Sequence, residues 1–195
     1  IDIMKKLLLF LFLFWANHSH AQTFFGQIVT NENDTTNVQI STIRNFDFNV
    51  NRLFSLQDSI KVIHNGVAKN YLPKDLKSFK INIDKEVFTF DNCNNMIFAQ
   101  RLYSGKVKLH KLLRKIYVYP NQNTIRYYIV KKPNDEKYYE MPAMGLSRLI
   151  TKNKLLPVFS DCKISLDKIE NDEVKIKDEL ILADFVKDYE KNCFQ

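Results

Sequence analysis

Glycine is close to absent, with four in 195 residues, and tryptophan occurs once. Four scattered glycines cannot build a phosphate-cradling loop or a dinucleotide fingerprint, and they exclude a collagen-like or linker-type chain. Histidine is equally scarce: His18 and His20 lie near the N-terminus, which leaves His64 and His110 for the rest. There is no H-E-x-x-H, no C-x-x-C and no Asp-rich loop with calcium-ligand spacing. Asn31-Glu32-Asn33-Asp34 offers oxygens without that spacing and reads as a solvated hairpin turn. Gly145-Leu146-Ser147 is not the G-x-S-x-G elbow of a serine hydrolase. Internal repeats and low-complexity tracts are also missing. What is present, 45% apolar and 13% aromatic residues, suffices for the core of one domain.

The N-terminus carries an address. Met4 reads as the start, with Ile1–Ile3 upstream of it. Lys5 and Lys6 precede the apolar run Leu7–Ala16, and Ser19 and Ala21 put small residues at −3 and −1 of a cut before Gln22. That is the layout of a secretory signal peptide, residues 1–21. The apolar run is half the about 20 residues a membrane span needs. No cysteine follows the small residues, which disfavours a lipid anchor. The expected mature chain is a single exported domain, residues 22–195, mostly β to about 141 and helical over 143–195. The formal charge of +7 loses two lysines and one aspartate with the leader, becoming +6. Export removes nucleic acid as a partner and leaves at most peripheral membrane contact.

From Phe24 to about Met141 the chain reads as short strands between turns. Phe25–Thr30 and Val38–Ile43 flank a polar cluster, and Ser59–His64 and Val67–Leu72 flank Asn65-Gly66, a strong hairpin signal. Phe79–Ile83, Val87–Phe90, Met96–Tyr103, Lys106–His110, Thr124–Val130 and Tyr138–Met141 continue the series. Arg44–Asp58 takes no clear assignment. In the last third, Met144–Lys152 is a helical candidate and Leu155–Phe159 an extended stretch. Asp178–Asn192 is the strongest helix, with acidic residues first, lysines last, and Leu182, Val186, Tyr189 and Cys193 on one stripe. The expected fold is β-rich α+β: an antiparallel meander of short strands with one or two C-terminal helices packed on it.

Several segments resemble a family of uncharacterised secreted proteins of Bacteroidota. They are Phe25-Gly26-Gln27-Ile28-Val29-Thr30 with Asn33-Asp34-Thr35, Tyr71–Phe79, Leu102–Leu109, and Phe159-Ser160-Asp161-Cys162 with Tyr189–Cys193. His110 stands where that family usually has tyrosine. The resemblance implies a β-rich exported protein, periplasmic, outer-membrane-associated or secreted, in a Gram-negative bacterium. It brings no activity and no catalytic residue.

An oxidising compartment lets disulfides persist. Pairing Cys162 with Cys193 would pin the C-terminal helix, at roughly 3–4 kcal/mol for a loop of that length. Cys93, in the polar turn Asp91–Asn95, is the spare, although its pairing with either of the others stays open. His64 reads as a turn-flanking residue and His110 as a solvated one on a basic strand face. Lys106, Lys108, Lys111, Arg114, Tyr117 and Arg126 mark a cationic, tyrosine-bearing face suited to anionic glycans or lipopolysaccharide, against the plainer reading of lysines that keep a sheet solvated. The leading expectation is a non-enzymatic envelope protein that binds or scaffolds an envelope component, with no cofactor. The alternative is a hydrolase of envelope polymers using carboxylates the sequence does not single out. Intact-mass measurement of exported material is expected to give a chain starting at Gln22 with one disulfide and one free thiol; retention of Met4, or three free thiols, overturns the export reading.

Overall fold

The computed structural model describes residues 22–42, 55–118, 121–143 and 149–194, with backbone alone for 116–118 and 121–122. Ten strands form one antiparallel sheet: β1 (Gln22–Thr30), β2 (Thr35–Thr42), β3 (Ile60–His64), β4 (Val67–Tyr71), β5 (Leu76–Ile83), β6 (Glu86–Cys93), β7 (Ile97–Ser104), β8 (Lys108–Val118), β9 (Asn121–Lys131) and β10 (Tyr138–Pro142). Three helices follow, α1 (Lys152–Phe159), α2 (Lys163–Glu170) and α3 (Glu179–Cys193). The expected β-rich meander is present, with ten strands close to the ten expected positions. None of the helices among the described residues is long and apolar enough to cross a membrane.

The strand order is β10-β9-β8-β7-β6-β5-β1-β2-β3-β4, so neighbours in sequence are neighbours in the sheet except where β5 pairs with β1. The chain reaches the edge as β4 and returns through only Leu72–Asp75, most of it a 3-10 turn. Four strand spacings amount to about 19 Å. Five Cα steps reach at most about 18 Å, even fully extended. Moreover, β4 ends level with the Gln22 end of β1, whereas β5 starts against Thr30. A flat sheet cannot be linked this way. Strands β5-β1-β2-β3-β4 therefore coil around an inner core that includes Ile40, Val62, Phe79, Ile81, Phe90 and Phe98. Phe79 stacks on Phe90 at 4.7 Å and meets Phe98 edge-on at 5.0 Å. Gly26 permits the tight curve, because a Cβ there would run into the Lys80 carbonyl and the Ile40 side chain.

A second constraint divides the sheet. Strands β7 and β8 are paired from Ser104↔Lys108 to Gln100↔Lys111 and then part. In the same register Phe98 would face Leu113, and Gln57 stands between them. Its carbonyl accepts the Phe98 N–H at 2.8 Å. Its side-chain amide donates to the Leu113 carbonyl at 2.8 Å and accepts the Leu113 N–H at 2.7 Å. A side-chain amide thus replaces a strand peptide, at a residue only 4% exposed. Beyond it β8 and β9 run on together to Val118↔Asn121, longer than the sequence pattern indicates.

The helices cover one face of β8–β10. Leu109, Tyr128, Val130 and Met141 pack there against Leu155, Phe159, Leu182, Val186 and Tyr189. Helix α3 starts where expected, with the Asp178 side chain accepting the Ile181 N–H at 2.8 Å. Cys162 and Cys193 form the disulfide, Cα atoms 5.9 Å apart, tying the N-cap of α2 to the last residue of α3. The expectation of an extended Leu155–Phe159 is corrected: these residues lie in α1, Pro157 included. Proline removes one helical hydrogen bond, but Leu155, Val158 and Phe159 bury one common stripe, which holds the turn in place. Helix α2 was not expected. The helical candidate Met144–Lys152 falls largely outside the described residues; Leu149 and Ile150 form a bend, with Leu149 N–H bonded to the Ile176 carbonyl at 2.7 Å.

Substituting Gln57→Ala leaves the buried Leu113 N–H and carbonyl without these partners. At about 1–3 kcal/mol for each of the two orphaned groups, the expected loss is roughly 2–6 kcal/mol in urea unfolding. A change below about 0.5 kcal/mol, the scale of an ordinary surface substitution, would show that the amide does not hold the lobes together.

Candidate functional site

The six residues expected to form a cationic face do not share one. Alternation along β8 places Lys108 and Arg114 on the side away from the helices, while Lys111 points to the helices. Lys111 pairs with Glu179 at 2.9 Å, and Arg126 approaches the same carboxylate at 3.9 Å. Lys106 donates to the Phe194 carbonyl at 2.6 Å. Arg114 holds Glu140 through two bonds, 2.7 and 2.6 Å, and lies 4.8 Å from the Tyr127 ring centre. Lys108 is exposed. The side chain of Tyr117 lies outside the described residues. Four of the five cations are therefore engaged by oxygens of their own chain.

The side of β6–β8 turned from the helices carries a charge cluster that sequence reading missed. Pairing of Arg101 with His110 and of Asp91 with Ala99 brings three groups to one patch. Arg101 Nε donates to Asp91 Oδ2 at 2.7 Å, with a second guanidinium contact to Oδ1. His110 Nε2 lies 2.8 Å from the same Oδ2, and its side chain is 3% exposed. Burial alone would raise the Asp91 pKa, but hydrogen bonds to His110 and Arg101, with their charges, outweigh it and hold the carboxyl well below the usual range. His110 is thus buried rather than solvated. Strand alternation told which face it takes, not that Tyr138 of β10 would reach across to the Asn94 backbone and help close that face.

Cys93 is corrected likewise. It is the last residue of β6, buried with Ala99, Leu112 and Ile129, and it is the free thiol among the described cysteines. Burial, reinforced by the Asp91 charge, pushes its pKa up to about 12. A thiol protonated at neutral pH is a packing group, not a nucleophile.

On the helix side, three of the segments that carry the family resemblance meet. Asp161 accepts Tyr189 Oη at 2.9 Å and Lys132 Nζ at 2.7 Å, and the buried Lys132 lies against the rings of Tyr139 and Tyr189 at 4.9 and 5.5 Å. Glu190 accepts the Val107 N–H at 2.6 Å and the Tyr103 hydroxyl. Its carboxylate fills the space a side chain would need at Gly105. With the disulfide alongside, this is a clasp between the β7–β8 turn and α3.

The described surface also carries open concavities, two of which stand out. One, about 600 Å³, runs beside α3 and alternates Asp172, Glu173, Asp184 and Asp188 with Lys168, Lys175 and Lys177. Lys168 takes Asp188 at 2.7 Å there. The other, about 500 Å³, lies on the outer side of β1–β3 and β5. It is lined by Phe25, Asn37, Gln39, Ile63, His64 and Asn82 together with the Asn65-Gly66 turn, and it has no Lys, Arg, Asp or Glu. No sequence signal marked this groove, because its residues come from four strands and each is unremarkable alone.

Asp91 supplies a pH test. A depressed folded-state pKa contributes stability that is fully present above the ordinary carboxylate range and is lost as pH falls from that range toward the lower folded-state value. Asp91→Asn is expected to cost about 2–4 kcal/mol near neutral pH, the value for a broken buried pair reduced for the exposure of Arg101. The gap between wild type and variant in urea unfolding should narrow below about pH 4. A gap constant down to pH 2.5 would mean that Asp91 draws no stability from its charge.

No family model, curated protein or solved structure matches the chain.

Proposed function

We propose that this protein is an exported envelope component that acts by binding or scaffolding rather than by catalysis. One observation carries the reading: the described carboxylates nearest to acid–base arrangements are tied to cations and hydroxyls of their own chain, while an open groove is left lined by uncharged hydrogen-bonding side chains. Asp91 is held by Arg101 and His110, Asp161 by Lys132 and Tyr189, and Glu179 by Lys111 and Tyr128. A general acid or base needs a proton to exchange with substrate, and these groups are taken up by partners of their own chain instead. The disulfide Cys162–Cys193 and the leader-like residues 4–21 support the exported location. The engaged state of Lys106, Lys111, Arg114 and Arg126 turns the reading away from a purely charge-driven grip on anionic glycan or lipopolysaccharide.

The test is co-sedimentation of the mature chain with isolated envelope fragments. Saturable binding is expected, persisting at about 0.5 M salt, where surface charges are screened. Release of soluble sugar or peptide fragments from the envelope material would point to the hydrolase instead, and an absence of co-sedimentation would remove the binding reading.

A further inference from the structure

The chemistry of the outer groove on β1–β3 and β5 identifies a ligand class. We infer that it is a binding site for a neutral, hydroxyl-rich saccharide, with Phe25 as the platform and amide side chains as the readers. The inference rests on the binding role proposed above.

Phe25 is 72% exposed in the middle of β1, paired with Gln39 of β2 and one residue before the pairing with β5 begins at Gly26. An aromatic ring in that position gains nothing from the core, and its apolar face is presented to whatever lies on the sheet. Register sets polar side chains around it. Gln39 is its direct partner across β2, and Ile63 lies beyond Gln39 on β3. Asn37 is one step further along the same face, next to His64, whose Nδ1 sits 3.2 Å from the Asn37 carbonyl oxygen. Asn82 lines the groove from β5. An amide side chain both donates and accepts hydrogen bonds, as does a sugar hydroxyl, while the ring can cover the apolar C–H face of a pyranose.

The lining also argues against other ligands. In a chain with 26% charged residues and a formal charge of +7, this groove is lined by no Lys, Arg, Asp or Glu. An anionic polymer would find no cation in the lining and a cationic ligand no carboxylate. An apolar ligand would leave the amides of Gln39 and Asn82 without partners once water is displaced, whereas Asn37 Oδ1 already accepts from Gln27 Nε2 at 3.3 Å. At about 500 Å³ the groove is of ligand-site size. Small coiled sheets use their outer strand faces for oligosaccharides in other settings.

Isothermal titration and amide chemical-shift mapping of the mature chain, with neutral hexasaccharides of glucose, mannose, xylose and N-acetylglucosamine as probes and a heparin hexasaccharide as the anionic arm, test this. At least one neutral probe is expected to bind saturably, with shifts centred on Phe25, Asn37, Gln39 and Asn82. Phe25→Ala should weaken it at least fivefold, and Gln39→Ala at least twofold. Neither residue is buried, so both variants are expected to keep the wild-type melting temperature, which the same samples report. Binding of heparin alone, shifts centred elsewhere, or no binding by any neutral probe overturns the assignment. Envelope co-sedimentation separates the two levels: undiminished co-sedimentation of Phe25→Ala removes this site and keeps the binding reading, whereas no co-sedimentation of wild type removes the reading itself.

Discussion

One buried amide side chain decides the shape of this sheet. Gln57 enters between β7 and β8 and satisfies with its own peptide and side chain the groups that Phe98 and Leu113 would otherwise offer each other. Without such an insert the Phe98 and Leu113 peptides would be left to bond each other in the continuing antiparallel register. With it, the two strands separate at Gln100↔Lys111, and ten strands curve around two cores instead of one. The short return from β4 to β5 acts in the same sense, forcing the N-terminal strands to coil. Two polar or geometric constraints, not the apolar residues themselves, set where each core closes.

The same logic accounts for the basic charge. A surplus of cations would ordinarily advertise an anion-binding surface. Here the lysines and arginines of β8 and β9 are distributed to both sides of the strands by alternation, and each side supplies its own acids: Glu179 from α3 toward the helices, Glu140 from β10 on the far side. The cluster of Asp91, Arg101 and His110 goes further, since a carboxylate with two hydrogen-bonding partners in a buried place is fixed as an anion. Charge in this chain orders strands and helices relative to each other.

Much of the architecture was legible in the letters, and for definite reasons. Asn65-Gly66 specified its hairpin because Asn65 and Gly66 both adopt positive φ, at 50° and 76°. Asp178 specified the start of α3 by capping it, and the stripe of Leu182, Val186 and Tyr189 specified the face that packs. What escaped was long-range. Gln57 sits in a segment without periodicity, and a polar residue that replaces a peptide looks like any loop glutamine. His110 was placed on the correct strand, whereas Cys93 was placed in a turn and is instead the last residue of β6; the exposure of both depends on what β10 covers. Pro157 pointed away from helix locally, and burial of its neighbours decided otherwise. The groove around Phe25 is legible only after the register of four strands is known.

The two lobes are finished in opposite ways, which bears on what each is for. The C-terminal lobe is closed several times over: a disulfide, the Glu190 carboxylate in the β7–β8 turn, and Lys132 held between two tyrosine rings and Asp161. The disulfide ties α2 to α3, and the other two fix helix to sheet. The N-terminal lobe closes its core by coiling, with Leu56 set into it, and no helix is laid over its outer face among the described residues. A strand face without cover ordinarily carries lysines and acids, yet between Phe25 and His64 this one carries an exposed ring and amides. Rigid closure on one side and an uncharged, hydrogen-bonding face on the other is the division expected when one part of a small domain supplies stability and the other meets a ligand.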